Sequence, residues 1–349
     1  MKNKLPFILM LQLLIFTGCN DDVSLGETTK EFKKRASSIS TNTNVTLSIL
    51  SYNIFHLPSI ASIYHYKEKY RAEAQKNFFN TREISENMDI IVVQEAFNRY
   101  VPIISNGLTS FINQSGLVGL YCGSWTMNRS DNYFDKMSSL SNCSNSPFVT
   151  NGGVKIYSKW PIEYDEQLIF KNSLRGTADY LSNKGASYVR INKNGKKFHI
   201  IGTHLQADEA KKDGSGIRKL QLDELQYWIA QKIKSGKIPS NEPIIFAGDF
   251  NIPHYDIEKI KEMTTILQSN EVKLQGDLHS YDESQNTILQ SNGNKYPPQT
   301  LDYILVSKQG KQPLFIPTFS HTTFRAKNTN ATEDLSDHHP IKQTFYFSY

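Results

Sequence analysis

Side chains bearing oxygen or imidazole groups recur along this sequence at the ends of short apolar segments. Asn53 follows Ile49–Tyr52, and Glu95 comes two residues after Ile90–Val93. Such segments predict buried strands, and the ends of neighbouring strands meet at one rim of a sheet, where binding sites tend to lie. The residues so placed are Asn53, Glu95, His204, Asp249, Asn251, Asp302, Asp337 and His338. We expect them to gather in one cleft.

This set of side chains suits a divalent cation that binds together with a substrate phosphate. Carboxylate and amide oxygens are the hard ligands that Mg²⁺ prefers, and the set contains no thiolate. A phosphodiester is anionic, so its hydrolysis needs a cation, a base that activates water, and an acid or metal at the leaving oxygen. Imidazole, with an ordinary pKa of about 6.5, suits proton transfer. The sequence therefore predicts a Mg²⁺ cofactor, for which Mn²⁺ or Co²⁺ could substitute.

The elements that must position these side chains are predicted from apolar periodicity. Strands are predicted over Thr46–Phe55, Asp89–Val93, Gly153–Ser158, Ser187–Ile191, Lys197–Thr203, Pro243–Phe246, Leu301–Val306 and Ile341–Phe347. Asn194-Gly195 predicts a tight hairpin between two of them. Helices are predicted over Lys67–Asn87, Ile217–Lys234 and Asp256–Leu267. One side of the second helix carries Leu220, Leu225, Trp228 and Ile229. Because strands and helices mix throughout one domain without an internal repeat, we expect two packed sheets with helices outside.

The beginning of the chain predicts export. A basic start precedes an apolar run from Leu5 to Phe16, which is too short for a bilayer span of ~20 residues and suits a signal peptide. The run ends at Cys19, so residues 1–19 predict a lipoprotein-type signal and a lipid anchor at Cys19. The alternative is cleavage near Gly18 and secretion. Residues 20–44 predict a flexible tether, and residues 45–349 a single catalytic domain.

Charge and cysteine content add further expectations. The net charge of +5 over 349 residues is too small to indicate a nucleic-acid partner, which would need clustered Lys and Arg. Besides Cys19, the chain has Cys122 and Cys143, which could pair in an oxidising compartment or remain two free thiols.

Six segments carry a resemblance to a known superfamily. In chain order they read S-Y-N-I, V-V-Q-E-A-F, I-G-T-H-L, A-G-D-F-N, L-D-Y-I-L and L-S-D-H-H-P, between residues 51 and 340. Together they resemble the endonuclease/exonuclease/phosphatase superfamily. The resemblance implies its fold, an α/β four-layer α-β-β-α sandwich in which two packed mixed sheets are flanked by helices, as in pancreatic deoxyribonuclease.

Three further segments narrow the resemblance to the bacterial sphingomyelinases C. They are S-K-W-P-I at residues 158–162, N-K-G at 183–185 and T-H-L-Q-A at 203–207. The resemblance implies hydrolysis of sphingomyelin in membranes to ceramide and phosphocholine, with contact to the membrane surface and, for an exported protein, a haemolytic or virulence role. A nuclease on the same fold is an alternative, and it would need a basic groove. A non-catalytic surface lipoprotein is a second, which the presence of Glu95, Asp249 and His338 disfavours.

The resemblance also assigns roles to the predicted site. Glu95 would be the central metal ligand. The implied ligand set is Glu95, Asn53, Asp249, Asn251, Asp337 and His338. The implied catalytic set is His338, His204, Asp249, Asn251 and Asp302. In this set Asp249 and Asn251 position the attacking water and a phosphate oxygen. His338 acts as a base or stabilises the developing charge while Asp302 orients its ring, and His204 holds a phosphate oxygen or assists the leaving alkoxide.

Two departures from the family pattern carry expectations of their own. Thr150-Asn151 stand where relatives often have Glu-Asp, and Arg99 falls near another ligand position, so a second, edge metal ion is expected to be missing or weakened. Before S-D-H, the segment His321–Arg325 has the single aromatic residue Phe324, where secreted relatives carry a Trp-Phe pair. We therefore expect this segment to bind the membrane more weakly. A lipid anchor would offset that loss of binding.

Overall fold

The first strand, β1 (Asn44–His56), buries side chains on both of its faces. Leu47 and Ile49 belong to one apolar cluster, whereas Leu50 and Tyr52 belong to another. Successive side chains of a strand point to opposite faces, so a strand buried on both faces lies between two layers of structure. This is why the segment reads as a continuous apolar run rather than as an alternating pattern.

The computed structural model describes residues 43–58, 67–120, 125–128, 133–136, 150–209, 211–275, 279–292, 297–315, 321–323, 325–327 and 333–349. Besides β1, the strands are β2 (Ile90–Ala96), β3 (Asn113–Gln114), β4 (Trp125–Asn128), β5 (Tyr133–Lys136), β6 (Lys155–Ser158), β7 (Ile162–Ile169), β8 (Gly185–Lys193), β9 (Lys196–His204), β10 (Ile244–Asp249), β11 (Leu274–Gln275), β12 (Asp302–Val306), β13 (His321–Thr323) and β14 (Ile341–Ser348). The helices are α1 (Glu68–Phe79), α2 (Arg82–Asn87), α3 (Val101–Gly107), α4 (Ser215–Lys234), α5 (Ile257–Ile266) and α6 (Thr287–Asn292).

These strands form two sheets. The first has the order β11-β13-β14-β1-β2-β6-β3, and the second has the order β12-β10-β9-β8-β7-β4-β5. Both are mixed, because β1–β2 and β9–β10 pair in parallel whereas β1–β14 and β10–β12 pair antiparallel. Asn194 and Gly195 connect β8 to β9 with positive φ angles of 53° and 82°, so the predicted hairpin is confirmed.

The fold has four layers, and an apolar cluster fills each of the three spaces between neighbouring layers. The cluster between the sheets includes Leu47, Ile49, Val92, Ile156, Val189, Ile200, Ile245, Ile304 and Phe345. A second cluster packs β1 and β2 against α1, α2 and α3, and a third packs β9, β10 and β12 against α4 and α5. Each buried side chain of this size stabilises the fold by roughly 1.5–3 kcal/mol relative to exposure. The layer order is helix, sheet, sheet, helix, which confirms the predicted fold.

Some sequence predictions were wrong in detail. The single helix predicted over Lys67–Asn87 is two helices, because α1 ends at a C-cap on Asn80 and Thr81 begins α2 with extended backbone. Leu220 does not share the buried side of α4 with Leu225 and Ile229, since it is 43% exposed.

Several expectations lie outside the described residues. They concern the signal segment, the predicted tether up to residue 42, Cys19, Cys122, Cys143 and Phe324. The last residue of the predicted tether, Asn44, instead begins β1. Among the described residues, no helix combines the length and the apolarity that crossing a bilayer requires.

Candidate active site

Three of the predicted residues meet where three neighbouring strands of the second sheet begin or end. Asp249, at the end of β10, lies opposite His204 at the end of the parallel strand β9 and opposite Asp302 at the start of the antiparallel strand β12. The strands approach closely here, because a Cβ atom on Gly248 would lie 2.0 Å from the carbonyl oxygen of Thr203. Glycine at this position therefore lets β9 and β10 bring their terminal side chains together.

The first sheet supplies Asn53 and Glu95 from the ends of β1 and β2. The pairing of these strands shifts register between Asn53 and His56, and Glu95 has a positive φ of 56°. Bulges and left-handed backbone at a non-glycine residue cost energy and are concentrated at functional sites. Asn53 Nδ2 donates a hydrogen bond to Asp249 Oδ2 at 3.1 Å, which links the two sheets across the site.

The loop before β14 brings the last two residues into place. Ser336 Oγ donates to the carbonyl oxygen of Asn53 at 2.6 Å and also lies 3.2 Å from Asp337 Oδ1. Next to it, His338 Nδ1 lies 2.8 Å from Asp302 Oδ2, and its Nε2 lies 3.7 Å from Asp249 Oδ2. The S-D-H segment is thereby tied to both sheets.

All eight predicted residues lie together at a cleft of about 820 Å³. Six of them line its wall: Glu95, His204, Asp249, Asn251, Asp337 and His338. Asn53 and Asp302 lie directly behind the wall, where each is at most 1% exposed and contacts a residue that lines it. The predicted convergence of distant segments on one cleft is therefore present in the structure.

Several carboxyl groups are buried together at this site, and burial disfavours their ionised forms. Burial and the neighbouring Asp337 carboxylate raise the pKa of Glu95 to about 8. Burial and Asp302 raise the pKa of Asp249 to about 6, and burial also raises the pKa of Asp337. Glu95 Oε2 is buried, and no described residue hydrogen-bonds to it. Uncompensated buried charge is costly, and a bound divalent cation would offset it.

The residues present thus fit a hard cation. Ligand atoms of Asp249, Asp302 and His338 lie within 4.8 Å of one another, which is close enough for one ion. However, the 2.8 Å contact between His338 Nδ1 and Asp302 already uses one nitrogen of the ring. The free oxygen of Glu95, together with the carboxylates of Asp337 and Asp249, would therefore be the more favourable set to hold the cation.

The two histidines of the cleft differ in charge. Burial lowers the pKa of His338, but the carboxylates of Asp302 and Asp249 outweigh it and hold that pKa well above its usual value. Burial, reinforced by Lys184 and His338, holds the pKa of His204 well below its usual value. The site therefore pairs a cationic imidazole with a neutral one.

Lys184 contributes more than its sequence context indicated. It belongs to the N-K-G segment, is 4% exposed and lines the cleft. Its Nζ atom lies 2.6 Å from Asp179 Oδ2 and 3.1 Å from His204 Nε2. The N-K-G motif was the available signal, but nothing in the sequence indicated that Asp179 is its partner.

The residues at the expected edge-metal position make protein contacts. Asn151 Oδ1 accepts a hydrogen bond from the backbone of Gly153 at 2.8 Å, and its Nδ2 donates to the carbonyl oxygen of Phe97 at 3.2 Å. Arg99 stacks on the ring of Tyr100 at 5.1 Å. The side chain of Asn151 thus holds the loop, and the missing or weakened edge site stays a prediction.

Comparisons with known proteins agree with this geometry. Residues 50–338 match the Endonuclease/Exonuclease/phosphatase family. A sphingomyelinase C of Leptospira interrogans is 34% identical over 318 residues, which are 87% of this chain and 52% of the relative. The chain thus spans about half the length of that relative. A sphingomyelinase C of Bacillus cereus is 30% identical over 325 residues, which are 87% of this chain and 90% of the relative.

Solved structures show the same likeness. A beta toxin mutant from Staphylococcus aureus, crystallised with bound magnesium ions, superposes with a TM-score of 0.67 and 26% identity, covering 87% of this chain and 100% of the toxin chain. The family match and the Bacillus relative together cover most of the described domain. The chain therefore belongs to the Endonuclease/Exonuclease/phosphatase family and, within it, to the bacterial sphingomyelinase C group.

Proposed function

We propose that the protein is a metal-dependent phosphodiesterase that hydrolyses sphingomyelin to ceramide and phosphocholine. One observation carries the proposal. The cleft sets a buried, unsatisfied carboxylate oxygen of Glu95 beside the His338–Asp302 pair and Asp249. A cation site next to an oriented imidazole is what the hydrolysis of a phosphodiester requires.

Mg²⁺ is the proposed cofactor, held by Glu95, Asp337 and Asp249, with Asn53 and Asn251 as neighbouring oxygen donors. When bound, it supplies positive charge to neutralise the phosphate. The Staphylococcus relative with bound magnesium and the all-oxygen donor set support this choice over a softer metal.

We assign the remaining catalytic roles to individual side chains of the cleft. Asp249 Oδ1 accepts a hydrogen bond from the Asn251 backbone at 2.9 Å, which leaves Oδ2 toward His338 and Asn53. We assign to Asp249 and Asn251 the positioning of the attacking water and one phosphate oxygen. His338, kept cationic by two carboxylates, stabilises the negative charge that develops on phosphorus-bound oxygen. His204 holds another phosphate oxygen.

Membrane contact is part of the proposal, because the substrate is a lipid. Leu181 and Tyr255 line the cleft and are 40% and 51% exposed, and the nearby Ile257 is 69% exposed. Apolar side chains at the mouth of a lipid-binding cleft can enter the interface while the head group reaches the polar floor. We call Leu181, Tyr255 and Ile257 the apolar rim.

We further propose that the chain is exported and anchored through lipid on Cys19. The proposal rests on the basic start, the short apolar run and the small residue before the cysteine. Mass spectrometry of the native protein, with Cys19→Ser as the control, tests it. An unmodified N-terminus at or near Cys19 would show cleavage and secretion instead.

The test of the enzymatic proposal offers sphingomyelin vesicles and plasmid DNA side by side to the purified protein. We expect phosphocholine release that EDTA abolishes and Mg²⁺ restores, with no cleavage of DNA. Asp249→Ala and His338→Ala should each lower turnover by at least ~10²-fold. Cleavage of DNA without hydrolysis of sphingomyelin would overturn the assignment in favour of a nuclease.

A further inference from the structure

Two polar side chains on the buried side of α1 contact segments that carry residues of the candidate site. Arg71 and Gln75 lie one helical turn apart, and they are 4% and 0% exposed. Side chains of these types are seldom buried so completely, and when they are, their hydrogen bonds are satisfied inside the protein. Here they donate to backbone carbonyl oxygens outside the helix. We call Arg71 and Gln75 the α1 clamp.

Two carbonyl oxygens each accept hydrogen bonds from both side chains of the clamp. Arg71 Nη1 donates to the carbonyl oxygens of Ile54 and Leu335, at 3.2 Å in each case. Gln75 Nε2 donates to the same two oxygens at 2.9 and 2.7 Å. Carbonyl oxygens that face one point carry like partial charges, and a cationic donor between them offsets their repulsion. The clamp therefore holds the end of β1 and the loop before β14 next to each other.

The clamp also holds the bulge at the end of β1. The pairing of β1 with β2 passes from Asn53 to His56, so it skips Ile54 and Phe55, and Phe55 has a positive φ of 54°. Left-handed backbone at a bulky residue is costly and persists only where the surrounding structure holds it. Arg71 Nη2 donates to the Phe55 carbonyl oxygen at 2.6 Å, and its guanidinium lies 5.2 Å from the centroid of the Phe55 ring. The Phe55 amide in turn donates to Asn53 Oδ1 at 3.1 Å, which fixes the Asn53 side chain.

Side-chain contacts extend this network from Gln75 to the residues that follow β2. His56 Nε2 donates to Gln75 Oε1 at 2.7 Å, and Asn98 Nδ2 donates to His56 Nδ1 at 3.2 Å. Because Oε1 of Gln75 is the acceptor for His56, its amide nitrogen is the atom that donates to the two carbonyls. Asn98 comes three residues after Glu95. The network thus reaches the ends of β1 and β2 and the loop before β14.

We propose that Arg71 and Gln75 are positioning residues that preform the cation site by holding Asn53, Glu95 and Asp337 at a fixed separation. These three residues come from separate segments, and each lies within three residues of a group in the network. Side chains behind metal ligands commonly orient those ligands, and their loss typically lowers metal affinity or activity by 10–100-fold. The identity of the cation rests on the proposed function; the contacts of the clamp do not.

Hydrogen exchange of the metal-free protein, in EDTA, tests the clamp independently of activity. In Arg71→Met and Gln75→Met, peptides covering residues 52–57 and 335–339 should exchange ~10-fold faster or more than in the wild type, because hydrogen bonds that hold both segments are lost. The matched control is Lys232→Met: Lys232 is likewise 4% exposed and pairs with Glu166 at 2.7 Å, but it lies outside the cleft lining. The control should speed exchange in α4 and not in these two segments. Unchanged exchange of both segments in the clamp variants would overturn the proposal, whatever the substrate proves to be.

Calorimetric titration with Mg²⁺ tests whether the clamp serves the cation site. The Kd for Mg²⁺ should rise ~10–100-fold in each clamp variant and stay at the wild-type value in Lys232→Met. The kcat for sphingomyelin should recover most of its wild-type value at saturating Mg²⁺, and Arg71→Lys, which keeps the charge, should recover part of the affinity. A loss of stability with an unchanged Kd would show a purely structural role and overturn the proposal. Weakened Mg²⁺ binding in the variants of a protein that hydrolyses no sphingomyelin would uphold it and overturn the proposed function.

Discussion

The Nδ1 atom of His338 lies 2.8 Å from Oδ2 of Asp302, where the loop before β14 meets the start of β12. Both side chains are buried. The contact fixes the ring so that Nε2 is the nitrogen nearer to Asp249. Tyr281 packs edge-on against the same ring with centroids 5.1 Å apart, which restricts its rotation. An imidazole held in this way presents one defined nitrogen to a substrate.

The first prediction concerns this pair. Asp302→Asn keeps the shape of the side chain but removes the charge that holds His338 cationic, so kcat should fall by ~10²–10⁴-fold with little change in KM. Phosphocholine release at saturating sphingomyelin measures it. Asp282→Asn is the control, since Asp282 is also buried but accepts from Ser284 within its own turn at 2.9 Å. Full activity in Asp302→Asn would remove the pair from the mechanism.

The second prediction separates stability from metal binding at Glu95. Its pKa is raised to about 8, so at neutral pH the metal-free fold holds this carboxyl mostly protonated while the unfolded chain ionises it, and this difference destabilises the fold. Glu95→Gln should therefore stabilise the metal-free protein by ~1–3 kcal/mol. It should also abolish the increase in Tm that Mg²⁺ gives the wild type, because binding to the folded state alone stabilises it.

The control variant for this prediction should change the free energy of unfolding in the opposite direction. Glu166 pairs with Lys232 at 2.7 Å, and the pKa of Glu166 is lowered because these favourable contacts outweigh its burial. Glu166→Gln should thus destabilise the protein and leave the response to Mg²⁺ intact. A Glu95→Gln variant that still responds to Mg²⁺ would exclude Glu95 as a ligand.

The convergence of the site could be predicted because its residues follow strand ends. Asn53, His204 and Asp249 each follow or end a short apolar segment, and such segments favour strands that are buried on both faces. The register that sets Asp249 opposite both His204 and Asp302 follows from pairing that no single segment encodes. The sequence therefore predicts which residues meet, but not how they touch.

Features that depend on distant partners were not predictable in this way. The break between α1 and α2 at Asn80 arises because the Asn80 side chain bonds Gly107 and Thr109, far along the chain. Likewise, the burial of Lys184 depends on its partner Asp179, which lies in a 3-10 turn that the sequence did not indicate. The prediction that Leu220 is buried was wrong because apolar residues of α4 lie both on its buried side and on its exposed side.

A third prediction concerns pH. His56 lies in a buried network in which Asn98 donates to its Nδ1 at 3.2 Å and its Nε2 donates to Gln75 Oε1 at 2.7 Å. Burial and the nearby Arg71 lower its pKa to about 3. The folded state therefore keeps His56 neutral while the unfolded chain protonates at about pH 6.5. The stability that His56 contributes is complete above pH 6.5 and is lost as pH falls from there toward 3.

Urea denaturation at several pH values, in EDTA, measures this contribution. In His56→Gln the loss of stability between pH 6 and pH 4 should be shallower than in the wild type by up to about 1.4 kcal/mol per pH unit. Other titrating groups are common to both proteins and cancel in the difference. Parallel stability curves would show that His56 becomes protonated without unfolding.

The fourth prediction concerns the apolar rim. Replacing Leu181, Tyr255 and Ile257 with Ser should weaken attachment to vesicles of sphingomyelin and phosphatidylcholine, because each side chain would lose apolar area that it buries in the interface. Hydrolysis of vesicle sphingomyelin should fall by ~10-fold or more, since roughly 1.4 kcal/mol of lost binding is already tenfold. Hydrolysis of a water-soluble phosphocholine ester should change little, because the rim lies outside the polar floor of the cleft.

A control for the rim is available on α4, where Tyr227 is 68% exposed and does not line the cleft. Tyr227→Ser removes an aromatic side chain of similar exposure and should leave both substrates unaffected. Sedimentation with vesicles, using rim variants combined with Asp249→Ala to prevent turnover, reports attachment separately from catalysis. If the triple variant sediments and hydrolyses vesicles like the wild type, the membrane is held by another surface. If both substrates lose activity together, the rim shapes the cleft rather than the contact with lipid.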